Sequence, residues 1–256
     1  LGVVLAAPAA GQTPAPEPGA FGIPDVSNII PMAESRESVS ATIQIFVIMT
    51  VLALVPSILI MMTSFTRIII VLGLMRQALA TPQLPPGQIL LGLALFLTML
   101  VMAPTVQAIN SEAIQPYLNN DPDLSQRDAL EIANLHLRDF MFRQIDYVGN
   151  EEDIYLFLEY SRKETIDLND TVARKDVPTT VLIPAFILSE LKTAFVMGFR
   201  IYLPFLVIDM VIASILISMG MLMLPPVLIS LPFKIMLFVL ADGWHLIIGS
   251  MLQSFG

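Results

Sequence analysis

Residues 183–224 read IPAFILSELKTAFVMGFRIYLPFLVIDMVIASILISMGMLML. The run is apolar almost throughout, and its charges are Glu190, Lys192, Arg200 and Asp209. A helix crossing a bilayer core needs about 20 apolar residues. This stretch is too long for one simple span and predicts a bent or two-part helical segment. Three other runs have the length of a single span: residues 43–62, with Pro56 inside, residues 88–109, with Pro104 near the end, and residues 232–253, with Lys234 and Asp242. The composition agrees with this pattern. The chain is 55% hydrophobic and 14% charged, whereas soluble domains average about 45–50% apolar and about 25% charged residues. The expected fold is an all-α membrane protein of long, kinked helical hairpins with an inserted extracytoplasmic helical segment.

The four spans divide the chain. Residues 1–10, LGVVLAAPAA, read as the end of a signal peptide, because Ala7-Pro8-Ala9 fits a small-residue cleavage pattern. A disordered apolar tail is the other reading. Residues 11–40, rich in Pro, Gly, Ala and Ser, read as a flexible extracytoplasmic linker. Residues 41–110 form the first hairpin, 111–180 a periplasmic amphipathic segment, and 181–256 the second hairpin. Basic residues in short loops mark the cytoplasmic side. Arg67 and Arg76 lie between the first two spans with no acid beside them, so that connection is placed inside. Both chain termini and the segment 111–180 then lie outside.

Within that segment, Ser125-Gln126-Arg127-Asp128 matches a capping box. Leu130, Ala133, Leu137 and Met141 follow at helical spacing. A second short helix is expected over 151–163, and a polar loop over 164–178.

Several functions are excluded by what the residues lack. The net charge of -9 offers nucleic acid no attractive surface. There is no cysteine, and the only histidines are His136 and His245, so no metal or cofactor is expected. No phosphate loop, H-E-x-x-H, G-x-S-x-G or G-x-G-x-x-G is present. His136 reads as a surface residue, His245 as interfacial or packed, and Trp244 as an interface anchor.

Two features remain informative. Each charge at a bilayer centre costs about 2.5–3.5 kcal/mol, so Glu190, Lys192, Arg200 and Asp209 must face protein or lie outside lipid. Glu190 and Lys192 are two positions apart and point to different sides of a helix. Their partners are therefore sought elsewhere, on another copy of the chain or on another part of this one. Ala194 and Gly198 form a small-xxx-small pair that lets helices approach closely. The second feature is Met219-Gly220-Met221-Leu222-Met223-Leu224-Pro225-Pro226. Residues before proline avoid the helical region, so a helix should end near Leu224, with Gly220 loosening it. Methionine repacks easily, and a ring of such residues would seal a pore. A Met-rich helix end in an ordinary core fits the same residues.

Beyond these physical readings, the sequence resembles the FliP family of flagellar biosynthetic proteins. The blocks that carry the resemblance are Phe65–Val71 (FTRIIIV), Leu90–Thr98 (LLGLALFLT), Ser189–Phe195 (SELKTAF), Pro204–Asp209 (PFLVID), Leu231–Lys234 (LPFK) and Asp242–Trp244 (DGW). The resemblance covers residues 43–256 and is weakest over 111–180.

It implies a structural, non-enzymatic subunit of the type III protein-export gate in the bacterial inner membrane. Such a subunit lets unfolded rod, hook and filament proteins cross. It also implies a helical oligomer of about five copies with FliQ and FliR, joined by FlhA and FlhB and assisted in assembly by FliO. The methionines before Pro225-Pro226 would form the pore gasket. Met221, Leu222 and Met223 hold the matching positions, with Leu222 in place of the expected middle methionine, and Met219 is a further candidate. Glu190, Lys192, Ala194, Gly198, Arg200, Asp209, Lys234 and Asp242 are the candidate subunit-packing or inter-chain charge contacts. An ion- or solute-coupled transporter using Asp209 or Glu190 is the alternative.

Overall fold

The computed structural model describes residues 36–81, 84–119, 124–162, 173–221 and 223–256. The expected signal-peptide end and the linker up to residue 35 lie outside the described residues, as does Leu222. All regular structure among the described residues is helical. In order these are α1 (Arg36–Met61), α2 (Phe65–Ala78), α3 (Gly87–Ile109), a π-helical turn (Asn110–Ile114) and α4 (Gln115–Leu118). They are followed by α5 (Gln126–Val148), α6 (Glu152–Arg162), a 3-10 turn (Arg174–Asp176), α7 (Thr179–Ser218), α8 (Pro226–Leu240) and α9 (Gly243–Gln253). The chain divides into two compact units, residues 1–52 and 53–256. The described part of the first is the N-terminal stretch of α1, and the second contains every site considered below.

Helix α7 is the axis of that second unit, packing against α2, α5, α6 and α8. It is a single helix of 40 residues with Pro184 and Pro204 inside, not the two-part segment expected. At 1.5 Å per residue it is about 60 Å long, twice the hydrocarbon thickness of a bilayer. Proline at 204 leaves the Arg200 carbonyl without its helical donor, but the neighbouring hydrogen bonds carry the helix through. It stops instead at Gly220, before the position expected from the Pro-Pro pair. Gly220 adopts φ 75°. Its N–H reaches the Ile217 carbonyl at 3.0 Å, and the Met221 N–H reaches the Leu216 carbonyl at 2.9 Å. These two bonds define a Schellman termination, which needs a left-handed residue and so favours glycine.

The largest departure from expectation is α2. The connection containing Arg67 and Arg76, read as a cytoplasmic loop, is a helix in the core. Ile68, Val71, Leu72 and Met75 are fully buried, and their spacing of three and four makes one apolar stripe. A length of 14 residues falls short of a membrane span, so a search by span length passes over it. Because Arg67 is buried, it does not mark the cytoplasmic surface, and the orientation argument loses one of its two cations.

Two apolar cores meet along α7. One joins α2, Leu90, Ala94 and Leu97 of α3, Ala194 and Phe205 of α7, Phe238 of α8, and Ile247 and Met251 of α9. The other joins Phe140, Met141, Phe142 and Ile145 of α5, Ile154 and Leu158 of α6, and Val181, Leu182, Ala185 and Phe186 of α7. Helix α5 begins at the expected capping box. The Asp128 N–H donates to Ser125 Oγ at 3.3 Å, and the Ser125 N–H donates to Asp128 Oδ2 at 3.0 Å. Of the expected stripe, Met141 is buried but Leu130 is exposed, because α5 meets α7 only through its C-terminal half. The expected helix at 151–163 is α6.

Two stretches are long and apolar enough to cross a membrane: Gly87–Leu118, which runs through the π turn, and α7. The pair α8–α9 makes a third if counted together, but it bends by 65°. The expected unbroken span at 232–253 is therefore interrupted. Asp242 takes a left-handed conformation, φ 49°, and a Cβ on Gly243 would lie 2.3 Å from the Phe238 ring. The first expected span falls in α1, whose described apolar run is Ile45–Leu54.

Candidate functional site

The charges that the sequence left without partners are joined between helices. Arg67 of α2 is fully buried, as is Glu190 of α7. Arg67 Nε donates to Glu190 Oε2 at 2.8 Å, and one terminal nitrogen donates to Glu190 Oε1. The same nitrogen reaches Gln144 Oε1 of α5 at 3.3 Å. The other donates to the Ser254 carbonyl at 2.6 Å and to Ser254 Oγ at 3.1 Å. Gln144 in turn donates to the Phe255 carbonyl at 3.0 Å, and the guanidinium lies 4.1 Å from the Phe255 ring centre. One rigid fork of donors thus fixes α2, α5, α7 and the segment after α9. A flexible ammonium could not span these acceptors.

Two further ties bind α7. Lys234 Nζ of α8 lies 2.6 Å from Asp209 Oδ2 and 3.3 Å from the Ala78 carbonyl at the end of α2. Ser230 donates to the other oxygen of Asp209 at 2.5 Å. Lys192 Nζ lies 2.7 Å from Asp153 Oδ1 on α6, where Asn150 also donates to Ser189 Oγ at 2.9 Å. Outside α7, His136 Nε2 lies 3.0 Å from Glu112 Oε2, which ties α5 to the π turn.

These contacts correct the expectation that Glu190, Lys192, Asp209 and Lys234 pair with another copy, since each has its partner within the chain. Their partners were sought on the same helix, whereas packing brings them from α2, α6 and α8. Arg67 and Asp153 were missed as functional candidates. For Arg67 a signal existed: it shares a helix face with Val71 and Met75, and a cation on an apolar face requires a buried acceptor. Ala194 and Gly198 also serve the chain's own packing. Both are buried, and a Cβ on Gly198 would lie 2.2 Å from Leu74 Cδ1, so the close approach is between α7 and α2. Arg200 and Asp242 are different. Both are exposed, and neither has an ion-pair partner among the described residues.

The break between α7 and α8 carries the candidate gasket. Met219 is 66% exposed, Met221 38% and Met223 97%. The Met-rich end is therefore not packed in this chain's core. Exposed apolar side chains continue from it along α7, including Met210, Val211, Ile215 and Ile217, and along α8, including Val227, Leu228, Val239 and Leu240.

Long apolar helices, charges neutralised in pairs between them and a wide apolar exterior define an all-α integral membrane protein. The chain belongs to the FliP family: a family model of that description matches residues 48–251. It is similar to the flagellar biosynthetic protein FliP of Bacillus subtilis (strain 168), 50% identical over 219 residues, which covers 86% of this chain and 94% of that protein. The protein of the same name from Aquifex aeolicus (strain VF5) is 47% identical over 223 residues, covering 84% and 86% of the two chains. That of Treponema denticola is 42% identical over 247 residues, covering 96% and 88%. The blocks that carried the resemblance supply both members of the Arg67–Glu190 and Asp209–Lys234 pairs.

Proposed function

We propose that this chain is a structural, pore-forming subunit of the flagellar type III protein-export gate. In this reading it sits in the bacterial inner membrane, with residues 111–180 facing the periplasm. It assembles in about five copies with FliQ and FliR, with FlhA and FlhB completing the gate and FliO assisting assembly. Unfolded rod, hook and filament proteins pass through the pore. The subunit performs no covalent chemistry, and its work is steric: an apolar constriction that seals around, and yields to, an extended chain.

The observation that carries this reading is the exposed Met219/Met221/Met223 segment. It is non-helical, apolar and Pro-terminated, and it stands at the joint of two long apolar helices. Non-helical backbone at membrane depth is tolerated where it is buried in protein or lines a cavity. Methionine supplies a soft, repackable surface for such a lining.

The transporter alternative gains no support from the side-chain geometry. Glu190 is clamped by Arg67, and Asp209 is held by both Lys234 and Ser230. A coupling carboxylate must exchange its partner, and these two are committed to structural ties.

The test is the mass of the complex isolated with this chain in gentle detergent. Several copies together with other small membrane proteins are expected. A well-folded monomer that transports a solute with saturation when reconstituted alone would overturn the gate reading in favour of the transporter.

A further inference from the structure

A cavity of about 840 Å³ opens between the C-terminal end of α5, the middle of α7 and α9. Its lining contains Lys192 and Arg200 but no carboxylate. Between the cations lie Asn150, Thr193 and Ser250, over a floor that includes Met197 and Ile247. Arg200 is exposed and has no ion-pair partner among the described residues. Lys192 carries three donors and uses one on Asp153. The two cations are eight positions apart on α7, about 12 Å along its axis. Long side chains from both ends can therefore converge on one anionic group.

Apolar surface adjoins this cationic cavity. Phe195, Phe199 and Leu203 of α7 and Leu246 of α9 are all exposed. A cation on an apolar helix is costly in a membrane without an anionic partner, so Arg200 needs one. Basic pockets between membrane helices accept acidic lipid headgroups. A zwitterionic headgroup fits less well, because its ammonium would face Lys192 and Arg200 with no lining acid to receive it.

We propose that this cavity binds an anionic phospholipid. The phosphate sits on Arg200, Lys192 supplies the second positive charge, and the acyl chains lie along Phe195, Phe199 and Leu203. The site is separate from the Met219–Pro226 segment and does not depend on the export-gate reading.

The experiment is native mass spectrometry of the protein, in whatever assembly gentle detergent preserves, titrated with phosphatidylglycerol or phosphatidylcholine. Phosphatidylglycerol adducts should persist at concentrations where phosphatidylcholine adducts are absent. One basic residue near an anionic lipid contributes about 1 kcal/mol, so R200Q should weaken phosphatidylglycerol binding about fivefold. R127Q, a change at an exposed cation outside the cavity, should leave binding unchanged. Equal retention of both lipids, or undiminished phosphatidylglycerol binding by R200Q, would overturn the proposal. Glycerol 3-phosphate binding as tightly as phosphatidylglycerol would show a bare anion site and overturn the lipid assignment. The chain has no cysteine, so V196C gives an unambiguous probe of occupation by a second copy. Chain-to-chain disulfides through it, with no lipid adduct, would equally sink the proposal.

Discussion

The two halves of α7 have the same apolar character and opposite fates. From Thr179 to Gly198 the helix buries Val181, Leu182, Ala185, Phe186, Ser189, Glu190, Ala194 and Gly198. From Phe199 to Ser218 it buries Phe205 and Leu216. Hydrophobicity does not separate the halves, but packing does. The first half is enclosed by α2, α5 and α6 and tied by Glu190 and Lys192. The second meets α8 and a single polar tie at Asp209, and turns Leu206, Val207, Met210, Val211 and Ile215 outward. In the first half an apolar residue stabilises this chain's own fold. In the second it stabilises whatever surrounds the chain, lipid or neighbouring protein.

The largest effect should come from the buried charge at the centre of the enclosed half. E190Q leaves the Arg67 guanidinium without its counter-charge, and breaking a buried pair from one side costs about 3–5 kcal/mol. Met210, 64% exposed, offers the contrast: M210A should change stability of the isolated chain by no more than about 0.5 kcal/mol. Thermal unfolding in detergent measures both. The double replacement R67M/E190M should recover much of the loss, since the penalty belongs to the unpaired charge. Equal losses for E190Q and M210A would abolish the distinction between the halves.

Gly198 sharpens the boundary between them. G198A drives a methyl group into Leu74, and overpacking of this kind costs about 1–3 kcal/mol. Shortening the obstructing side chain with L74A should relieve part of that cost in the double variant. An additive double variant would mean that the contact of α7 with α2 is not as close as the geometry requires.

How much of this was legible in the sequence depends on the range of the cause. The capping box at Ser125 and the helix at 152–162 followed from local rules and were met. The two long apolar stretches followed from length and hydropathy. Helix α2 was not read because its 14 residues are too few for a span and its stripe was hidden inside the run Ile68–Leu72. The end of α7 was placed too late because the Pro-Pro pair was weighed above Gly220, whose left-handed turn closes the helix first. The charge partners were misplaced for a different reason. Arg67 and Glu190 are 123 positions apart, and no periodicity in one helix reports on a contact with another. Gly198 was recognised as a close-approach residue, but sequence could not say whether the helix approaching it belonged to this chain.

A smaller effect tests the support of the enclosed half through α5. S125A removes the side-chain acceptor of the capping box and should cost about 1 kcal/mol. The same box has a pH signature. The hydrogen bonds from the Ser125 hydroxyl and backbone N–H hold the Asp128 carboxyl below the ordinary carboxylate range. A carboxyl depressed in the folded state stabilises at pH above its unfolded value, and the contribution is lost as pH falls through the folded one. Wild-type protein should therefore lose stability relative to D128N on acidification. Parallel pH profiles for the two would remove the box from the account of α5.

The smallest effect on stability should fall at the far end of the open half. Met223 is 97% exposed, so M223A removes almost no contact within the chain and should leave thermal unfolding within about 0.5 kcal/mol. Its consequence should appear in permeability. If Met221 and Met223 line a closed constriction in the assembly, replacing both by alanine opens a gap that methionine filled, and cells should leak small ions or solutes while the complex still forms. A stable complex with unchanged permeability would remove these residues from the seal. A destabilised chain would mean that the methionines pack within the fold after all, and that the open half of α7 ends in core rather than at a pore.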